Sequence, residues 1–296
     1  MLNKILENSL NELLSQYEKK VGIIKPPIEI PILKNVLSEM KKIQIQINVK
    51  TTKSPNEGSL FPIRGGFLIY FSKDSEGWFR RRLTICHEFI HIFSYDCNSE
   101  IPKKLHYISE NICFKYARLI LVPDALLKNL FEEYKNKNLD IVAITKLLSQ
   151  KFKVSIDTII YRLKEIELIE NIIFIFWRVP LMIKTKLKNI KRVDVEKQSI
   201  ISNDLKHKLS KVHFELIKDK IWNEYVKNFI ISGQINNKYG KFTISSNNNQ
   251  KPILNFSVIC EPKSFVTDAA LKYNLKPNCG YEVLTAVTFL EKSIIS

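Results

Sequence analysis

Two histidines four residues apart enclose a glutamate in the run His87-Glu88-Phe89-Ile90-His91. On a helix, positions i and i+4 share a face, so both imidazoles can reach one ion. Zinc suits such a pair, because it takes neutral imidazole nitrogen at about 2.0–2.1 Å without a strict geometric demand. Glu88 lies too close along the chain to be the natural third ligand. It can instead stand beside the ion's open position and accept a proton from water there. The flanks Leu83, Ile85, Phe89, Ile90, Ile92 and Phe93 read as a core helix. A core helix carrying two histidines and a glutamate needs partners for all three, and one ion supplies them together.

A catalytic zinc requires a third protein ligand. Downstream, Asp96, Glu100, His106 and Glu110 are the candidates. Glu110 opens a helical run that Pro123 stops, with the small residues Cys113 and Ala117 at i+3 and i+7 on its own stripe. Such a stripe lets one helix approach another closely. A glutamate in a first turn is also favoured by the helix dipole alone, so spacing leaves the choice open.

The elements that must position these residues are legible in the pattern. Helical periodicity runs over 81–95 and 109–121, the two segments that carry the chemistry. Ahead of them, 2–21 reads as a helix with Leu6, Leu10, Leu13, Leu14 and Tyr17 on one stripe, and Pro26-Pro27 enforces an extended link. A short helix over 32–40 follows. Residues 43–47 alternate strictly, as a half-buried strand should, 51–60 read as a polar loop, and Gly65-Gly66 opens a strand over 67–71. Helices are expected over 126–134, 141–150 and 155–167. After about residue 170 the texture turns to strands, over 172–177, 230–235 paired through 236–240 with 242–245, then 254–260 and 281–289. The fold class is α+β, with a domain boundary near 170.

The net charge of +16 raises the prior for an acidic partner such as nucleic acid. Richness in Ile, Asn and Lys along the whole chain reads instead as compositional bias, so nucleic acid is not the favoured partner. Cysteines stand at 86, 97, 113, 260 and 279, an odd number with no C-x-x-C pair, which reads as a reducing compartment. The first twenty residues lack the apolar stretch of a signal peptide. The most apolar segment, 172–183, is broken by Arg178 and Pro180 and is too short to span a bilayer. The expectation is a cytoplasmic protein with no membrane partner.

The run Arg81-Arg82-Leu83-Thr84-Ile85-Cys86-His87-Glu88-Phe89-Ile90-His91, with Glu110, Cys113, Tyr116, Ala117, Ile120, Leu121, Val122 and Pro123 beyond it, resembles the ImmA/IrrE family of zinc metallopeptidases. That family's pattern is R-R-F-T-x-A-H-E-x-G-H followed by E-x-x-A-N-x-F-A-x-x-L-L-M-P. The likeness extends to the N-terminal helix, the Gly65-Gly66-Phe67 strand and the tail around Phe152 to Ile169, and so covers about residues 1–170. It implies a zincin-like domain over 1–170 with helix-turn-helix-like helices in 141–169, followed by a smaller α+β domain over 171–296 of sensory or substrate-recruiting kind. It implies Zn2+ held by His87, His91 and Glu110, with Glu88 as catalytic base. It further implies a site-specific endopeptidase whose protein substrate is a regulator such as an XRE-type helix-turn-helix repressor, in stress response and transcription regulation. Ile90 replaces the family's glycine, Cys113 its alanine and Phe114 its asparagine. None removes a ligand, but all alter the groups that orient ligands.

Other features are weighed beside these. The strand holding Phe67, Leu68 and Ile69 precedes the His-bearing helix and is a candidate for pairing with an extended substrate. Arg80, Arg81 and Arg82 read as a solvated helix start rather than a substrate anchor, and Cys86 as core. His106 or Tyr107 is a candidate to stabilise an oxyanion, without assignment. Residues 150–169 outline a helix-turn-helix with Tyr161, Arg162 and Lys164 on its second helix, read as structural or partner-docking rather than DNA-reading. Trp177, Trp222, Tyr239, Phe242 and Phe256 supply core after 170, and His207 and His213 have no helical relation. The alternative to a peptidase is a non-catalytic zinc-binding regulator that binds DNA or a partner through 150–220.

Overall fold

The computed structural model describes residues 2–50, 58–72, 77–180, 189–206, 209, 211–227, 239–243, 253–263 and 280–288. The fold is mixed α+β. It divides into two compact units, residues 1–137 with 145–162, and residues 138–144 with 163–296.

In the first unit, helix α1 (Leu2–Val21) buries Leu6, Leu10, Leu13 and Tyr17. The Tyr17 hydroxyl accepts the Glu29 amide at 2.9 Å, fixing the approach to α2 (Ile30–Lys41). Strands β1 (Gln44–Lys50), β2 (Gly58–Ile63) and β3 (Gly66–Ser72) form a sheet in the order β1-β3-β2, with β1 parallel and β2 antiparallel to β3. The β2–β3 hairpin turns on Arg64 and Gly65, and Gly65 sits at φ 75°, where glycine is favoured.

Two expectations change here. The loop expected over 51–60 gives way to β2 at Gly58, while 51–57 lie outside the described residues. β3 is the central strand, so Phe67, Leu68 and Ile69 have neighbours on both sides and no free rim for a substrate peptide. β2 is the strand beside the cleft described below, and among the described residues only β3 pairs with it.

Helix α3 (Gly77–Ile92) buries Ile85, Cys86, Phe89, Ile90 and Ile92. It ends before the expected residue 95 because the Ser94 amide and hydroxyl both donate to the His91 carbonyl, at 3.0 and 2.6 Å. Tyr95 then belongs to the short hairpin of β4 (Tyr95–Asp96) and β5 (Lys103–Lys104). Arg82 is not a solvated residue: it is 3% exposed and donates to the Ile28 carbonyl at 2.7 Å. Helices α4 (Glu110–Leu121), α5 (Asp124–Asn136), α6 (Ile141–Phe152) and α7 (Ile156–Glu165) follow. Arg162 of α7 is 1% exposed; its guanidinium donates to the Val122 carbonyl at 3.2 Å and to Asp124, binding the end of α4 and the start of α5. The guanidinium of Arg118 lies over the Tyr161 ring, 5.0 Å from its centre.

The second unit is built on an antiparallel sheet, β7-β6-β10-β9-β8, from β6 (Ile172–Pro180), β7 (Glu196–Ile201), β8 (Tyr239–Thr243), β9 (Ile253–Lys263) and β10 (Gly280–Thr288). Ile172 to Trp177 are all buried, so both faces of β6 are covered. Trp177 donates to the Thr285 hydroxyl at 3.0 Å and packs 5.8 Å from Trp222. The strand expected over 230–235 lies outside the described residues. β7 and a helix over Lys211–Ile221 were not expected. Among the described residues, no helix is long and apolar enough to cross a membrane.

Removing a buried guanidinium strands the groups it satisfied and leaves a cavity. Arg162→Ala should therefore destabilise the first unit by about 2–4 kcal/mol, read as a lower urea midpoint at unchanged slope.

Candidate functional site

His87 and His91 project from one face of α3, with their Nε2 atoms 3.0 Å apart. Glu110, in the first turn of α4, brings Oε2 to 2.8 Å from His87 Nε2 and Oε1 to 3.5 Å from His91 Nε2. Of the four candidates left open by spacing, Glu110 alone reaches the histidines. Asp96 is occupied with Asn98, Glu100 pairs with Arg64 at 2.6 Å, and His106 is exposed away from the cleft.

The approach of α4 is possible because the stripe facing α3 is small: Cys113 and Ala117 are both fully buried. Cys113 also touches the site, with Sγ 3.6 Å from His91 Nδ1. One turn from Glu110, the Phe114 ring lies 4.2 Å from the His87 ring. Ile90, fully buried, fills core space rather than the site.

These groups open on a cleft of about 690 Å³. Its walls include Gly58 and Leu60 of β2, Arg80 and Thr84 of α3, Tyr95 of β4 and Lys104 of β5. Gly58 and Leu60 are two residues apart, as one face of a strand requires. A Cβ on Gly58 would stand 2.5 Å from Thr84 Cγ2 and 2.7 Å from Glu88 Oε1, so a larger residue there would have to displace these side chains. The Tyr95 ring is held edge-on by Phe67 at 5.0 Å. Gly58, Tyr95 and Lys104 escape a sequence reading, since they sit at a strand start and in two-residue strands with no period to read. His106 and Tyr107 do not line the cleft.

Burial sets the protonation states. It drives His87 down to about 4, helped by His91 and opposed by Glu110, and it lowers His91 as well. Both imidazoles are thereby kept neutral, the form that binds metals. Burial, followed by repulsion from Glu110, raises Glu88 to about 7. Burial pushes the Cys113 and Cys86 thiols up to about 12, which fits Cys86 as core and makes neither a ready thiolate. Tyr95 is raised by burial and then by Glu88.

The donors fit a metal ion. Two neutral nitrogens face each other with a carboxylate beside them, and an ion between them satisfies all three. The His87, His91 and Cys113 donor atoms lie within 4.8 Å of one another, and this buried group can bind a metal.

No protein-family model matches the chain. No curated protein matches it. Among solved structures, it is similar to a Mycobacterium tuberculosis transcriptional regulator, with a TM-score of 0.47 and 12% identity over 97% of this chain and 76% of that one.

Purified chain dialysed against metal-free buffer should retain about one ion, and His91→Ala should lose it, because two remaining protein donors hold an ion poorly. Elemental analysis by mass spectrometry reads both.

Proposed function

We propose that residues 1–170 form a zincin-like, zinc-dependent endopeptidase of the ImmA/IrrE kind, in which His87, His91 and Glu110 hold Zn2+ and Glu88 is the general base. One observation carries this reading: the buried Glu88 carboxylate shares a cleft with the three donors and is not itself one of the converging set. The donor set of two imidazoles and a carboxylate leaves a position open, as catalytic zinc sites do. Zinc bound there would act as a Lewis acid, polarising a peptide carbonyl and lowering the pKa of water.

The chain's own residues supply the rest. Glu88, raised to about 7, accepts and returns a proton near neutral pH. Gly58 brings the β2 backbone against it, and the outer rim of β2 offers an extended peptide a strand to pair with. Lys104 and Tyr95 give the cleft a cation and a hydroxyl for polarised substrate oxygens. The substrate we propose is a cytoplasmic regulatory protein, an XRE-type helix-turn-helix repressor, with residues 171–296 sensing a signal or recruiting that substrate.

A second reading has one observation behind it, the nearness of Cys113. Four protein donors and no open position would make a structural zinc in a non-catalytic regulator.

Glu88→Gln should retain about one zinc per chain yet slow cleavage of a co-expressed repressor by about 10²–10⁴-fold, the usual worth of a general base. Fragment analysis by mass spectrometry scores it, and full cleavage by the variant would refute the assigned base. Gly58→Val should act through the same carboxylate, retaining zinc while losing about 100-fold in rate, since a displacement near 1 Å is enough.

A further inference from the structure

Cys113 stands on the second ring nitrogen of His91, at 3.6 Å, and not on the nitrogen that faces the other donors. The two nitrogens of an imidazole point to nearly opposite sides. If His91 held an ion through Nε2, with His87 Nε2 and Glu110, the Cys113 sulfur would be left to the other ring nitrogen.

We propose that Cys113 is a positioning residue, whose sulfur accepts a hydrogen bond from His91 Nδ1–H and so holds the Nε2 lone pair toward the ion. This rests on the zinc reading above. A histidine that ligates through Nε2 must carry its proton on Nδ1, and that proton needs an acceptor. Cys113 is fully buried on α4, where its backbone amide is held by the Ser109 carbonyl at 3.0 Å. The partner histidine has no such support: His87 Nδ1 is buried without a hydrogen-bond partner among the described residues. Orientation of the pair thus depends on the His91 side, where α4 places the Cys113 sulfur against the ring.

Two variants and two readouts test it on the full chain. Cobalt(II) loading of the wild type should give no sulfur-to-cobalt charge-transfer band. Chelator competition should show Cys113→Ala binding zinc about 10–100-fold more weakly, the usual cost of losing a group that orients a ligand. Cys113→Ser, which keeps an acceptor, should recover part of that loss, separating the hydrogen bond from packing. A sulfur band in the wild type would make Cys113 a ligand and overturn the inference, as would wild-type affinity in Cys113→Ala. A folded wild type that takes up no metal sinks the zinc reading itself, a result distinct from either.

Discussion

The first unit depends on how closely α4 packs against α3. Interhelical spacing, usually about 8–10 Å, follows the size of the side chains at the contact. Cys113 and Ala117, both fully buried, permit that approach, and it settles three relationships at once. It brings Glu110 to the histidine pair, sets Phe114 over His87, and puts the Cys113 sulfur on His91. None of these is independent of the others, because all four residues ride on one helix.

The same exclusion of water gives the site its chemistry. Imidazoles lose their charge when buried, and a carboxylate gains a proton more readily, so one environment prepares neutral donors and a basic group that titrates near neutrality. Across from the Glu88 carboxylate, the wall at Gly58 is backbone. At Gly58 the strand comes within a methyl group's reach of Glu88, so the sheet and the helix define the carboxylate's position jointly.

What could be read from the sequence follows from what periodicity records. His87, Glu88 and His91 stood out because helical spacing and residue chemistry coincide there. Glu110 did not stand out by spacing alone, since a first-turn acid has an ordinary reason to exist. β2 was hidden because Gly58, Pro62 and a half-exposed Phe61 break the alternation that marks a strand, which an edge tolerates. Arg82 reads as a solvated residue because arginine usually is, and the Ile28 carbonyl explains its burial, as the Val122 carbonyl explains that of Arg162. In the second unit β6 was legible as an unbroken apolar run, whereas β7, Glu196–Ile201, is too polar to announce itself.

Arg162 also bears on how short the chain can be made. Its guanidinium satisfies the carbonyl at the C-terminal end of the helix that carries Glu110, as well as the acid that opens the next one. The helical tail is therefore a buttress for the donor-bearing helix and not an appendage to it. A fragment that ended at α4 would leave the Val122 carbonyl without this guanidinium. Carrying it on through α7 keeps that contact, and any partner that pulled α7 away would remove it from the end of the helix that carries Glu110.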